Sequence, residues 1–137
     1  KLNDGTLFTN IFKIFSNKKI NLNVAEDQLF APVFILDLLK IIDYFLLKKI
    51  EGTYNISGDL GLSRYSFIQK FLKFLPNKYC QKIKLHKSKL NNFTYKEMYP
   101  KNTILINKKI KKTIGIKFTT IKNSFKIILN EKKKSRI

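Results

Sequence analysis

Arginine is nearly missing from this chain. Of its 28 basic residues only Arg64 and Arg136 are arginines, so a formal charge of +19 rests almost wholly on lysine. The guanidinium fork is what suits bidentate contact with phosphate or guanine, and an ammonium is no substitute. Lysines also run through every segment instead of gathering into one footprint, which reads as a solvated surface. Lys, Asn, Ile and Phe, all spelled by A/T-rich codons, supply about half of the chain. Coding bias accounts for the charge, and nucleic acid is not the expected partner.

Cysteine and histidine are as scarce. Cys80 stands alone, which excludes an internal disulfide, and with His86 as the single histidine no zinc-spaced cluster exists. No metal is expected, both residues read as packing groups, and a reducing cytoplasm is the expected compartment. Five glycines and three prolines leave no linker, so no domain boundary is placed within the chain. The longest apolar run, residues 29–47, is interrupted by Asp37, Lys40 and Asp43 at three-residue steps. Such a polar stripe suits a helix of a soluble protein and excludes a membrane span.

What is present is enough for a core: 44% apolar and 13% aromatic residues in 137. Leu7, Phe8, Ile11, Phe12 and Phe15 recur at helical spacing behind a capping Asp4. Ile20, Leu22 and Val24 alternate with Asn21 and Asn23, the period of a strand with one buried face. That strand delivers Asp27 and Gln28 into a loop ended by Pro32. Residues 33–49 form a helix apolar around most of its circumference, expected to be largely buried. Gly52 then opens a short strand over 53–56, broken at Ser57-Gly58.

Ser63 caps a helix carrying Phe67, Ile68, Phe71 and Leu75 until Pro76 stops it. Residues 82–86 alternate as a further short strand, and 88–102 read as a surface loop. A short helix over 107–114 closes at Gly115, with Ile110 and Ile114 inward. A last helix over 120–130 carries Ile121, Phe125, Ile128 and Leu129 inward, and 131–137 form a basic, frayed tail. The pattern is α/β, helix-rich, with two or three short strands, too few for a complete doubly wound sheet.

Four phrases fall in an order that resembles one family. They are Asp27-Gln28 with Ala31-Pro32-Val33 and Asp37-Leu38-Leu39; Gly52-Thr53-Tyr54; Ser63-Arg64-Tyr65-Ser66-Phe67; and Tyr99-Pro100-Lys101-Asn102-Thr103-Ile104-Leu105. This is similar to the substrate-facing, C-terminal part of extended short-chain dehydrogenases, among them the relatives of dTDP-4-dehydrorhamnose reductase. The resemblance covers nearly the whole chain. It implies that residues 1–130 are the substrate-binding portion of an NAD(P)-dependent reductase of nucleotide-linked 4-keto sugars, serving carbohydrate biosynthesis. NADP or NAD would then be bound by an N-terminal half that this sequence does not contain.

The same resemblance implies a substrate-binding loop of Asp27, Gln28, Phe30 and Pro32, and no catalytic residue in this stretch. Departures fall beside that loop: Phe30 replaces a common Gly, Val33 a Thr, Tyr99 an Arg and Leu7 an Asn. Two lesser signals carry little. Tyr44 and Lys48 have the Tyr-x-x-x-Lys spacing, but that spacing places any two residues on one helix face. Gly58-Asp59-Leu60-Gly61 lacks the strand-turn-helix context of a phosphate loop. Expected partners are a nucleotide sugar and the cofactor-binding half, with homodimerisation left open. The competing readings are a non-catalytic regulatory or scaffold relative, and a basic module using Lys108, Lys109, Lys111, Lys112 and Lys132 to Lys134 on nucleic acid.

Overall fold

Alternation of apolar and polar side chains sets the first element that can be followed. The computed structural model describes residues 19–94 and 99–134; the helix expected around Phe8 and Phe12, and Leu7 with it, lies outside them. Strand β1 (Ile20–Ala25) pairs in parallel with β4 (Ile83–Ser88), in a register running from Ile20 opposite Ile83 to Ala25 opposite Ser88. Two-residue strands β2 (Leu29–Phe30) and β3 (Leu62–Ser63) form a second small sheet. The helices are α1 (Ile35–Lys48), α2 (Arg64–Leu72), α3 (Asn77–Cys80), α4 (Lys108–Ile114) and α5 (Ile121–Lys134).

The chain forms two compact units, although no linker marks a boundary between them. One holds the described residues up to 28 together with those from 63 to 99; the other holds 29–62 and the described residues from 100 on. In the first, α2 packs on β1, and Val24, Ala25, Phe67, Ile68, Phe71, Leu75 and Leu90 are buried. Helix α2 starts where the Ser63 hydroxyl accepts the Ser66 N–H at 3.1 Å, satisfying a donor that a helix terminus leaves open. It ends at Leu72, ahead of Pro76. Cys80 donates its thiol to the Leu72 and Leu75 carbonyls at 3.1 and 3.4 Å. Burial pushes that thiol's pKa up, the direction of an inert packing group.

In the second unit Ile41, Ile110 and Phe118 form the buried centre, packed by Val33, Phe45, Tyr54, Ile56, Ile114 and Ile116. The Phe45 and Tyr54 rings meet edge to face at 4.9 Å, a geometry that adds to their area burial. Helix α4 closes at Gly115, whose φ of +63° is the left-handed turn glycine adopts freely. Along α5, Phe125 is buried, with Ile121, Ile128 and Leu129 half-buried beside it.

Four expectations need correcting. Helix α1 is not largely buried: only Asp37 and Ile41 are, while Ile35, Leu36, Leu39, Ile42, Leu46 and Leu47 are exposed. The three residues that interrupt its apolar run do not form one solvated stripe either, because Asp37 turns inward while Lys40 and Asp43 stay outside. Residues 53–56 carry no regular structure and pair with no strand among the described residues. At the C-terminal end, the backbone that was expected to fray after 130 continues as helix to Lys134.

Candidate functional site

The loop expected to face substrate begins where the β1–β4 ladder runs out. The ladder gains one more bond, Glu26 N–H to the Ser88 carbonyl at 2.9 Å. Glu26 then sits between Lys89 at 3.0 Å and Lys87 at 3.6 Å. The hydrogen bond and charge of Lys89, helped by Lys87, hold its carboxyl below the usual glutamate range, and the same pairing raises Lys89. Asp27 comes next. Its Oδ1 accepts the Leu90 N–H at 2.7 Å, capping the 3-10 turn Leu90–Asn92 as an aspartate caps a helix start.

Gln28 is buried, 4% exposed. Its Oε1 accepts the Arg64 Nε–H, and its carbonyl accepts the Arg64 N–H at 3.1 Å. Arg64 therefore fixes both ends of Gln28, and one of the chain's two arginines is spent orienting this loop. Sequence reasoning found Arg64 within a phrase but not its partner; the signal was an arginine in a chain that otherwise uses lysine.

Phe30 and Pro32 belong to the second unit, where the backbone around them is tied on several sides. Leu29 donates to the Lys101 carbonyl at 2.6 Å and accepts from the Thr103 N–H at 3.0 Å and its hydroxyl at 3.2 Å. The Ala31 carbonyl accepts the Gly58 N–H at 3.2 Å. A Cβ at Gly58 would run into the Pro32 carbonyl, so the close approach of these two backbones requires glycine. The Ser57–Asp59 turn is itself clamped: Asn107 Nδ2 donates to the Ser57 carbonyl and to Asp59 Oδ1, both at 2.8 Å, and Lys111 reaches Asp59 at 2.9 Å. Phe30 and Pro32 are half-buried, and Tyr99 is exposed.

The Gly58–Gly61 turn is thus a packing device for the loop. Tyr44 and Lys48 both lie exposed on α1. Among the described residues no group of His, Cys, Asp and Glu could hold a metal, and no helix is long and apolar enough to cross a membrane. What the loop offers is a backbone hydrogen-bonded at Gln28, Leu29 and Ala31, with a half-buried aromatic residue at Phe30.

No protein-family model and no curated protein matches the sequence. Solved structures do match. A dTDP-4-dehydrorhamnose reductase from Bacillus anthracis str. Ames, solved in complex with NADP, aligns with TM-score 0.76 and 16% identity. The match covers 93% of this chain and 43% of that one. A dTDP-4-dehydrorhamnose reductase from Clostridium acetobutylicum ATCC 824 aligns with TM-score 0.75 and 18% identity, over 96% of this chain and 45% of that one. The chain spans less than half the length of either reductase. Over the length that it spans, this chain has the fold of dTDP-4-dehydrorhamnose reductases.

Proposed function

We propose that this chain is the substrate-binding part of a cytoplasmic NAD(P)-dependent reductase acting on a nucleotide-linked 4-keto sugar. The observation that carries the reading is the match of almost the whole chain to two dTDP-4-dehydrorhamnose reductases. The ordered phrases from Asp27-Gln28 to Tyr99-Pro100 support it independently. On this reading the loop of Asp27, Gln28, Phe30 and Pro32 positions the sugar nucleotide. The nicotinamide, the proton donor and the hydride transfer belong to a cofactor-binding half, and this part alone turns nothing over.

Phe30 is the residue by which the loop departs most from the family, and its half-buried ring narrows the space a sugar would enter. Replacing Phe30 with Gly in the polypeptide as its host makes it should tighten calorimetric binding of dTDP-rhamnose about tenfold, or about 1.4 kcal/mol. In the unmodified polypeptide the same ligand should slow amide exchange across residues 27–32. Binding that leaves those amides unchanged and is indifferent to residue 30 would move the substrate away from the loop.

A nucleic-acid role finds less support. Lys109 donates to the Thr53 carbonyl at 2.8 Å and lies 4.3 Å from the Tyr54 ring centroid, and Lys111 pairs with Asp59. Two of the lysines such a role would need are engaged in surface contacts within the chain.

A further inference from the structure

Arg64 has a fixed backbone from which its side chain starts. It is the first residue of α2, and the Ser63 hydroxyl ahead of it accepts the Ser66 N–H and donates to the Ser66 hydroxyl, both at 3.1 Å. Its own N–H reaches the Gln28 carbonyl at 3.1 Å, and its Nε–H reaches Gln28 Oε1. One residue thus holds another by backbone and side chain together, closing a ring. Gln28 is buried and Arg64 half-buried, and a charge-assisted bond of this kind is about twice as strong as a neutral one.

The chemistry of the two groups then decides how the amide stands. A glutamine carboxamide has an accepting face and a donating face, and its last torsion is broad enough to present either. A guanidinium donates and never accepts. The Gln28 oxygen therefore faces Arg64, and its NH2 group lies on the other side of the amide. Lysine does not reproduce this, because its charge is a point at the end of a flexible stem with no planar fork along it. In a chain that otherwise meets its need for cations with lysine, arginine stands at this position.

We propose that Arg64 is a positioning residue of the substrate loop: by holding the Gln28 oxygen it presents the amide N–H groups to the ligand, so that the loop reads an acceptor oxygen of the nucleotide-linked sugar. The inference rests on the function proposed above, which makes residues 27–32 that loop. It narrows the substrate class. A keto, hydroxyl or phosphate oxygen is accepted where Gln28 meets the ligand, whereas a protonated amino substituent there sets donor against donor and leaves buried polar groups unpaired.

Steady-state kinetics test it, on the polypeptide as its host makes it, with NADPH and a dTDP-linked 4-keto sugar. Gln28→Glu keeps an acceptor for Arg64 and makes it charged, so the melting temperature should hold or rise. The same substitution removes the N–H face, and KM for the sugar should rise about tenfold while kcat and the KM for NADPH stay within about twofold. Arg64→Met keeps the backbone bond and the length of the side chain but frees the amide; it should also raise KM for the sugar, and Arg64→Lys should not restore it. A Gln28→Glu variant that melts normally with an unchanged KM overturns the proposal and leaves the function standing. Should that variant not fold, Arg64→Met decides: a lower melting temperature with an unchanged KM makes the pair a structural tie and overturns the proposal. A well-folded host polypeptide that binds neither nicotinamide nor the sugar nucleotide overturns the function, and this inference with it.

Discussion

Asp37 is the residue whose reading changed most between sequence and structure. An acid within an apolar helix looks like a solvent-facing interruption, yet both of its oxygens are occupied. Thr119 gives its N–H at 2.6 Å and its hydroxyl at 2.8 Å. Hydrogen bonds to a charged acceptor are worth about 1.5–3 kcal/mol each, and a buried donor left unpaired costs about 1–3 kcal/mol. Asp37→Ala should therefore lower the urea-derived stability by about 2–4 kcal/mol, with Asp37→Asn in between; a loss under about 0.5 kcal/mol would show the pairing to be incidental. Nothing in the sequence linked position 37 to 119, because a side-chain bond across 82 residues leaves no local period.

Asp59 gives a pH prediction. The Lys111 hydrogen bond, aided by Asn107 and the Lys111 charge, holds its carboxyl below the ordinary aspartate value. The folded value lies under the unfolded one, so its contribution is present above the ordinary aspartate range and is lost as pH falls through the folded value. Following the Asp59 carboxyl by NMR should give a midpoint below that of a free aspartate, and Lys111→Ala should move it up. An unmoved midpoint would mean that the lysine is solvated instead.

At the scale of elements, local pattern succeeded where neighbours in the chain supply the partners. The β1 alternation, the Ser63 cap, the stop before Pro76 and the Gly115 closure are local chemistry, and each is in place. It failed where a partner had to come from elsewhere. Residues 53–56 have strand-like alternation but no paired edge among the described residues, and α1 has the composition of a buried helix but exposes much of its apolar surface. The turn from 57 to 61 separates two kinds of glycine. Gly58 faces the Pro32 backbone, whereas Gly61 faces the end of the Ile104 side chain, which can rotate away. Gly58→Ala should cost about 1–3 kcal/mol as overpacking against backbone, and Gly61→Ala less than about 1 kcal/mol. Thermal melts of the two variants decide it, and equal losses would refute the distinction.

Across the whole molecule, the order of phrases carried more than any of them singly. The α/β, helix-rich character and the likeness to dTDP-4-dehydrorhamnose reductases were legible from Asp27-Gln28 onward and stand in the fold. The two-unit organisation was not, since its units interleave along the chain at 28–29, 62–63 and 99–100 and no linker marks the crossings. Of the loop, the sequence supplied Asp27, Gln28 and Arg64 but not the bonds by which Leu90 and Arg64 hold the first two in place. The function proposed above makes this chain the substrate-facing part of a larger catalyst.

That central claim is met most directly by offering NADPH and a dTDP-linked 4-keto sugar to the polypeptide isolated whole from its host, and following nicotinamide oxidation. The account predicts sugar-dependent consumption of NADPH, or of NADH if that is the preferred form, by a species heavier than 16.1 kDa. A well-folded polypeptide that binds neither nicotinamide and leaves the sugar unreduced would contradict it.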